Sequence, residues 1–589
     1  MSWEAWFTLA LVVVAVAVLM RDLLAPSATI FGATVVLLLI GVITPEQALS
    51  GFANPAPFTV AALYILARGV EKTGALQPII TTTLGEGSSR HGSLARLLVP
   101  TSAASAFLNN TPIVAMLTPQ VTDWADRRGR SASHYLMPMS FATILGGVLT
   151  LIGTSTNLVV SGLLQAAGRP PIGMFELIPV GLPVAVLGLA VVIVLAPRVL
   201  PARRSARLDL EEDFRQFVLD MVVVDDGPLD GRTVEGGGLR HLQGVYLVQI
   251  ERNGELLAPA TPETVLRGGD RLRFVGKSDL VVDLQTSRGL RSAEQSHLAG
   301  FDTRRAAFFE AVVGAASPLV GRTLREVEFR SRYQAAVLAI HRAGQRVDAQ
   351  LGQVPLRVGD TLLLLSDSRF RERWYDRNDF LLVSRLGAAM PTSTRQAALV
   401  GVIGLGIVLL AATGILPILQ ASLLGAVALV LAGVLTPGEA RNAVDLDVVV
   451  LIAASFGLAA AIESSGLADR LAQGLVDIFS AWGPRGVLLG VVLATVLLTE
   501  LITNNAAAVL IFPIAASSAA TLGIDPRGFA VALAVAASAS FLTPIGYQTN
   551  TMVYGPGGYR FGDYARLGAP LTLMVIMAVV AFVPVFWPF

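Results

Sequence analysis

Long apolar runs form two blocks along the chain, with a polar stretch between them. The first block has runs at 4–20, 28–43, 57–71, 95–118, 136–166 and 176–197, and the second at 396–413, 418–435, 447–462, 486–516, 527–553 and 567–586. A helix needs roughly 20 apolar residues to cross a bilayer, and most runs are long enough. The stretch between the blocks, about 203–390, is rich in Arg, Asp and Glu. The pattern predicts an α-helical polytopic membrane protein, in contact with the lipid bilayer, that carries a soluble insert.

The two apolar blocks read as copies of each other. Matching residues recur at an offset that stays between 392 and 394 residues: Thr44 with Thr436, Asn110 with Asn504, and Asn157 with Asn550. Internal repeats of this kind are typical of secondary transporters. If each block has five spans and one re-entrant hairpin, the odd number of spans inverts the second block relative to the first. We therefore predict inverted repeats over residues 1–200 and 391–589.

Basic residues predict the orientation of the chain. With the N-terminus outside, eleven basic residues of the first block face the cytoplasm, and the loop 44–56, which has none, faces outward. They are Arg21, Arg68, Lys72, Arg90, Arg96, Arg127, Arg128, Arg130, Arg198, Arg203 and Arg204. This arrangement satisfies the positive-inside rule. It predicts a multi-pass protein of the cell (inner) membrane with a cytoplasmic insert. The first run lacks a basic segment before it, so we interpret it as a first span and not as a cleaved signal peptide.

The insert has a repeat of its own. Three pairs of segments recur at an offset of 90 residues: 231–234 with 321–324, 248–254 with 338–344, and 267–270 with 357–360. Alternating apolar residues flank Asn253-Gly254 and Ala343-Gly344, a pattern typical of β-hairpins. The insert is thus predicted to contain two small α+β modules, over 203–295 and 296–390.

Clusters of small polar residues interrupt the apolar blocks at corresponding positions. Asn109-Asn110-Thr111 lies in one run, and Thr503-Asn504-Asn505 lies in its counterpart. A buried amide without a partner costs a few kcal/mol, so these side chains need partners. Broken helix tips supply a use, because their carbonyl and side-chain oxygens coordinate cations while helix N-termini attract anions. The alternative is hydrogen bonding between helices; the duplication favours re-entrant hairpins with an ion site.

A second pair of clusters, Gly153–Asn157 and Gly546–Asn550, interrupts two other runs. We predict that these residues break helices in mid-membrane and free backbone carbonyls as ion ligands; the alternative is a plain kink. The helix-break residues would be Ser155, Thr156, Asn157, Gln548 and Asn550. The clusters contain no basic residue, carboxylate or histidine, although Glu500 closely precedes the second hairpin tip. An anion would therefore depend on bound cations for positive charge, and proton coupling, which normally uses an intramembrane carboxylate or histidine, is disfavoured.

These residues resemble the motifs of the divalent anion–sodium symporters, a family of the ion transporter superfamily. The family's Ser-Asn-Thr hairpin signature is similar to Asn109-Asn110-Thr111 and Thr503-Asn504-Asn505. The insert modules resemble the C-terminal domain of TrkA-type potassium uptake regulators. That insert, combined with the segment Gly-Tyr-Gln-Thr-Asn at 546–550, resembles the sulfate-transporting members.

The resemblance implies residue roles. Sodium would bind at Asn109, Asn110, Gly153, Thr503, Asn504 and Gly546. Substrate would contact Asn110, Thr111, Thr154, Asn504, Asn505 and Thr549. It implies a homodimer, with an unknown small effector possible on the TrkA-like modules. The expected function is sodium-coupled symport of a small divalent anion, sulfate first and a dicarboxylate such as succinate second, by a rocking or elevator-like change of access.

Other function classes fit the sequence less well. The chain has no cysteine, its five histidines are scattered, and no nucleophile–base set is visible, so we expect neither an enzyme nor an organic cofactor. A net charge of +1 gives no reason to expect nucleic-acid binding. A regulated ion channel stays open as an alternative, although no filter of carbonyl or charge rings is recognisable. A proton-driven efflux permease also stays open.

Overall fold

A computed structural model describes most of the chain. The described residues are 2–21, 23–76, 89–203, 218–239, 245–252, 255–257, 261–276, 290–292, 306–314, 317–342, 345–347, 351–367, 370–374, 379–385 and 394–589. The predicted boundary between the insert modules, at 295/296, and that at 390/391 lie outside these residues. So do the predicted turns at Asn253-Gly254 and Ala343-Gly344.

The first block folds into nine helices within the described residues. They are α1 (Trp3–Met20), α2 (Pro26–Ile40), α3 (Pro45–Leu49), α4 (Pro55–Thr73), α5 (Arg90–Ser105), α6 (Asn110–Arg127), α7 (Leu136–Gly147), α8 (Ser155–Ala166) and α9 (Ile178–Val199). Short 3-10 turns occupy Ser50–Ala53 and Ala132–His134. The predicted apolar run 95–118 thus becomes two helices joined by a tight connection, α5 and α6, and the run 136–166 becomes two half-helices, α7 and α8.

The insert folds into two five-stranded antiparallel sheets with short helices. The first sheet contains β1 (Val218–Val223), β2 (Val245–Arg252), β3 (Glu255–Leu257), β4 (Arg271–Gly276) and β5 (Leu290–Ser292). The second contains β6 (Ala306–Val312), β7 (Ala335–Arg342), β8 (Gln345–Arg346), β9 (Thr361–Asp367) and β10 (Leu382–Arg385), with helices α10 (Phe329–Tyr333) and α11 (Phe370–Trp374) and a 3-10 turn at Leu351–Gln353. The strand orders, β3-β2-β4-β1-β5 and β8-β7-β9-β6-β10, correspond strand for strand.

A buried ion pair recurs in both insert sheets. In the first, the guanidinium of Arg252 binds the carboxylate of Asp270 through two contacts of 2.7 Å. In the second, Arg342 binds Asp360 at 2.8 and 2.7 Å. Each aspartate also accepts the backbone N–H that begins its own turn, that of Arg267 or Arg357. Paired, hydrogen-bonded charges of this kind can be tolerated in a protein interior, and here they hold the corner before β4 and β9.

The second block repeats the helix order of the first. Its helices are α12 (Thr394–Ala412), α13 (Ile418–Leu431), α14 (Pro437–Ala443), α15 (Leu446–Ser464), α16 (Leu467–Phe479), α17 (Gly483–Leu501), α18 (Asn504–Thr521), α19 (Pro526–Ala537), α20 (Gln548–Tyr554) and α21 (Phe561–Phe586), with a 3-10 turn at Ser480–Trp482. The arms α17 and α18 correspond to α5 and α6, and the half-helices α19 and α20 to α7 and α8. Inversion of one block relative to the other across the bilayer stays a prediction.

The short helices α3 and α14 show how the repeated sequence produces repeated local structure. The hydroxyl of Thr44 accepts the N–H of Gln47, whose side chain accepts the N–H of Thr44 in return. Thr436 and Glu439 form the same reciprocal pair. This is a capping box, which satisfies otherwise unpaired donors at a helix start, and a proline at the first helical position favours the start further.

The length and composition of the helices support a multi-pass membrane protein. Within the described residues, seven helices are long and apolar enough to cross a bilayer, and three shorter apolar helices accompany them. Large apolar side chains point outward on the shorter ones; Leu39 and Leu431 are 79% and 82% exposed. In lipid such side chains need no protein partner. The predicted number of spans stays a prediction.

The two blocks pack closely against each other. Helix α2 packs on α15. Helices α13 and α4, which correspond to α2 and α15 in the other block, pack on each other in the same way. The hydroxyl of Thr34 on α2 donates to the carbonyl of Ala454 on α15 at 3.1 Å. A β-carbon on Gly457 would lie 2.5 Å from the methyl group of Thr34, so only glycine permits this approach. Close contacts through small residues are typical of membrane helices.

Candidate functional site

Both hairpins end in tight tips that begin a helix with an asparagine. Residues 106–109 join α5 to α6, which begins at Asn110, and Ile502-Thr503 join α17 to α18, which begins at Asn504. The hydroxyl of Thr503 accepts the N–H of Ala506 at 3.5 Å and caps α18. The N-terminus of a helix carries unpaired N–H groups and a partial positive charge. Each tip therefore offers a favourable position for an anion.

The helix breaks include the first two residues of each predicted cluster, Gly153-Thr154 and Gly546-Tyr547. Helix α8 begins at Ser155 and α20 at Gln548, while the irregular segments are 148–154 and 538–547. The predicted break residues, from Ser155 to Asn157 together with Gln548 and Asn550, instead form the first turns of the second half-helices. That the irregular segments lie in mid-membrane and free their carbonyls as ion ligands stays a prediction.

Two asparagines explain the position of the breaks. The amide of Asn157 donates to the carbonyls of Gly147, at 3.0 Å, and Thr150, at 2.8 Å. These carbonyls lie ten and seven residues earlier, at the end of the first half-helix and within the irregular segment. Because the amide satisfies both acceptors, the backbone can leave the helical path without burying unpaired carbonyls.

The second block repeats this connection. The amide of Asn550 donates to the carbonyls of Ser540, at 2.9 Å, and Thr543, at 3.4 Å, again ten and seven residues earlier. The hydroxyl of Ser140 on α7 also donates to Asn550, at 2.8 Å, and lies 2.9 Å from the hydroxyl of Thr549. Thr549, predicted to bind substrate, is fully buried against α7.

Each second half-helix packs against the hairpin of the other block. Helix α8 contacts α18, and α20 contacts α6. The hydroxyl of Thr111 donates to the amide oxygen of Gln548 at 3.3 Å. In the corresponding contact, the amide of Asn505 donates to the hydroxyl of Ser155 at 3.1 Å, and Thr156 donates to Asn505 at 3.0 Å. The site residues of the two blocks are thus brought together in crossed pairs.

The phenol of Tyr547 lies between the two tips. The amide of Asn110 donates to its hydroxyl at 2.6 Å, and the hydroxyl of Thr154 lies 3.2 Å from it. Asn504 interacts with the same hydroxyl from the other tip. Asn110 is held in turn by Ser105, whose hydroxyl donates to its amide oxygen at 2.5 Å. Three of the predicted substrate residues therefore converge on Tyr547, which belongs to the predicted cluster Gly546–Asn550 but to which our sequence analysis assigns no contact with substrate or sodium.

The predicted glycines sit where no side chain would fit. A β-carbon on Gly153 would lie 2.5 Å from the carbonyl oxygen of Gly147 and 2.9 Å from that of Ser105. In the second block, a β-carbon on Gly546 would lie 2.0 Å from the hydroxyl of Ser540 and 3.0 Å from the carbonyl oxygen of Thr499. We call these two oxygen-lined positions the first and second cradles. Carbonyl and hydroxyl oxygens of unwound segments are the groups that coordinate Na⁺ in transporters with broken helices.

Polar atoms without partners lie in or beside both cradles. The amide oxygen of Asn157 is buried and receives no hydrogen bond within the described residues. The same holds for the hydroxyl of Ser540, which lies at the second cradle. A buried polar atom of this kind costs free energy unless something binds it. Both cradles thus contain acceptors that a cation could satisfy.

The carboxylate of Glu500, which closely precedes the second hairpin tip in the sequence, lies at the second cradle. One oxygen of Glu500 accepts the N–H groups of Phe541 and Leu542 at 2.7 and 2.8 Å. The other has no hydrogen-bond partner within the described residues and lies 3.3 Å from the β-carbon position of Gly546. The sequence shows Glu500 four residues before Asn504. It does not show that the segment after α19 folds back onto the carboxylate. The first block has Ala106 at the corresponding position.

Asn109 and Thr503, the remaining predicted sodium ligands, precede the first residues of α6 and α18. Asn109 occupies the position before the first helical residue and makes no capping hydrogen bond. Its side chain interacts with the phenol of Tyr64 on α4. Both residues therefore lie at the tips, next to the residues that contact the opposite block.

Comparisons with known proteins agree with this geometry. A family model described as a citrate transporter matches residues 9–536. The chain is similar to a putative sulfur deprivation response regulator of Chlamydomonas reinhardtii, with 34% identity over 95% of this chain and 98% of the relative. It is 35% identical to an uncharacterized transporter of Synechocystis, over 98% of this chain and 96% of the relative. It is also 26% identical to a probable sodium/sulfate cotransporter of C. reinhardtii, over 92% and 84% of the two chains.

Proposed function

The chain belongs to the citrate transporter family, and from that premise we propose that it is a sodium-coupled symporter of a small divalent anion, with sulfate as the first candidate. The relatives support a transporter of the divalent anion–sodium symporter type and not an enzyme. The observation that carries the proposal is the pair of cradles, each formed by a broken helix and a hairpin. Duplicated sites of this kind lie at the repeat interface of secondary transporters.

Cation binding would prepare the anion site. Na⁺ in the first cradle would meet the carbonyl oxygens near Gly153, and Na⁺ in the second would meet those near Gly546 together with Glu500. The bound cations would add positive charge beside the N-termini of α6 and α18. A dianion between the tips would then be attracted by cations and helix N-termini. Coupling follows because each ligand raises the affinity for the other by the same factor.

The crossed contacts suggest how access alternates. One contact, between Thr111 and Gln548, joins the first tip to α20. The other contact, between Asn505 and Ser155, joins the second tip to α8. A substrate bound between the tips would compete for these hydroxyl and amide groups, so binding and the contacts between blocks are linked. Whether the motion is an elevator or a rocking change, it would have to exchange these contacts between two states.

We choose sulfate as the first candidate substrate because similar proteins are named sodium/sulfate cotransporters. A dicarboxylate is the alternative. The two insert modules, with matching topology, would be TrkA-like domains that lie in the cytoplasm beneath the inner membrane and modify transport, and the protein would function as a homodimer. These assignments are proposals that accompany the main one.

Purified full-length protein in proteoliposomes tests the function. With an inward sodium gradient we expect uptake of labelled sulfate above that of succinate, and little uptake of either in potassium. Asn110→Ala and Asn504→Ala should each lower sodium-dependent uptake at least roughly tenfold, because each loses an amide that joins the tips to Tyr547 and leaves polar groups unpaired. Asn442→Ala, which changes an exposed asparagine on α14, is the matched control and should transport like the wild type.

Two results would contradict the proposal. One is wild-type uptake that is driven by a pH gradient and is indifferent to sodium. The other is normal sodium dependence in both asparagine variants, provided that size-exclusion elution and thermal unfolding show folded protein.

A further inference from the structure

The hydroxyl of Tyr547 occupies the centre of the proposed substrate site. It is contacted by Asn110 and Thr154 from the first block, and it interacts with Asn504 from the second. All three residues are candidates for substrate contact. A substrate that reaches them must either displace the phenol or bind beside it and use its hydroxyl.

The hydrogen bonds favour direct use of the hydroxyl. A phenol has one O–H to donate and can also accept. Asn110 donates to it at 2.6 Å, so its own proton is free to point elsewhere; the hydroxyl of Thr154, at 3.2 Å, and the side chain of Asn504 lie within its reach. The contact with Thr154, in which either hydroxyl can be the donor, is long for an O–H···O bond, whose usual distance is about 2.7–2.8 Å. A negatively charged oxygen would be a better acceptor than the threonine hydroxyl.

The ring of Tyr547 also limits the space between the tips. The side chain is 93% buried and lies at the junction of both hairpins. An aromatic ring is rigid and fills a large volume. A compact tetrahedral dianion presents all its oxygens within one small sphere. A four-carbon dicarboxylate instead needs room for two separated carboxylates, and a rigid ring at the junction would restrict that room.

We propose that Tyr547 determines the substrate class: its hydroxyl donates to one oxygen of a compact tetrahedral dianion, and its ring excludes elongated dicarboxylates. This inference rests on the proposed function, since it assumes sodium-coupled uptake of an anion that binds between the two hairpin tips. It assigns two separable roles to one side chain, the hydroxyl to affinity and the ring to exclusion.

Two substitutions separate these roles in full-length protein in proteoliposomes with a sodium gradient. Tyr547→Phe keeps the ring and loses the hydroxyl; we expect the KM for sulfate to rise at least roughly tenfold, as for a lost hydrogen bond to a charged group, with no gain of succinate uptake. Tyr547→Thr removes the ring; we expect weaker sulfate uptake and succinate uptake at least roughly tenfold above the wild-type level. Tyr559→Phe removes a buried hydroxyl that binds the backbone at Ser133 and Met137. It should leave the ratio of sulfate to succinate uptake unchanged.

The outcomes distinguish the inference from the function on which it rests. If the wild type takes up neither anion with sodium, the proposed function fails. If the wild type takes up sulfate, an unchanged sulfate KM in Tyr547→Phe overturns the inference, and so does a Tyr547→Thr protein that gains no succinate uptake while it remains folded. Should Tyr547→Thr not fold, the phenylalanine variant still decides, because it alters a single oxygen atom.

Discussion

The two cradles differ in charge because of a single side chain. Both have a glycine against a backbone carbonyl, that of Ser105 in the first block and that of Thr499 in the second. Glu500 adds a carboxylate to the second, where the first block has Ala106. Within the described residues this carboxylate forms no ion pair with Lys or Arg. A buried carboxylate without a positive partner is costly, and a cation in the second cradle would relieve that cost.

Glu500→Gln tests this difference at the residue scale. Glutamine keeps an oxygen that can accept the N–H groups of Phe541 and Leu542 but loses the negative charge. We expect the sodium concentration for half-maximal sulfate uptake to rise at least roughly tenfold, because hydrogen bonds and contacts to charged groups are about twice as strong as neutral ones. The maximal rate in saturating sodium should fall less. Glu46→Gln, which neutralises an exposed carboxylate on α3, is the control. An unchanged sodium requirement in the Glu500 variant would show that the carboxylate only positions the backbone of Phe541 and Leu542 and does not bind sodium.

At the scale of elements, apolar runs predicted the long helices well and the broken ones less well. The run 176–197 corresponds to Ile178–Val199, because a lipid-facing span must be apolar throughout its length. The breaks at 148–154 and 538–547 depend on amides that reach back seven and ten residues, and hydropathy contains no such information. The contact of Tyr547 with Asn110 joins residues 437 positions apart. It depends on the packing of one block on the other, which no local pattern encodes.

Asn157→Ala and Asn550→Ala should therefore loosen the broken helices. Each change leaves two buried carbonyls without a donor, which costs about 1–3 kcal/mol per unsatisfied group. We expect a lower midpoint of thermal unfolding and at least a severalfold loss of sulfate uptake, since the glycine of each cradle lies in the segment that the amide holds. Gln165→Ala, an exposed change further along α8, is the comparison and should behave like the wild type in both assays. Wild-type stability in both asparagine variants would refute the role given to these amides.

At the scale of the whole molecule, the insert touches the helix that carries site residues. A β-carbon on Gly359, in the corner held by Asp360, would lie 3.2 Å from the ring of Tyr554 at the end of α20. A β-carbon on Gly555 would lie 1.8 Å from the hydroxyl of Thr361, so the two backbones are in close contact. The matching corner of the first module is different: a β-carbon on Gly269 would meet only Asp225 of its own module, at 3.8 Å. The second module is thus placed to restrain α20, which begins at Gln548.

A disulfide between Thr361→Cys and Gly555→Cys tests whether this contact changes during transport. The chain has no cysteine of its own, so the introduced pair can form only one intramolecular bond. A β-carbon on Gly555 would lie 3.2 Å from that of Thr361, slightly below the roughly 3.5–4.5 Å usual in disulfides, so a small adjustment allows the bond. If the first turn of α20 exchanges its contacts with α6 in each cycle, as we propose, oxidation should lower sulfate uptake severalfold and a reductant should restore it. Thr361→Cys alone should not respond to either treatment. If the disulfide forms completely and uptake stays unchanged, transport requires no movement between the insert and α20. The contact would then place no restraint on transport.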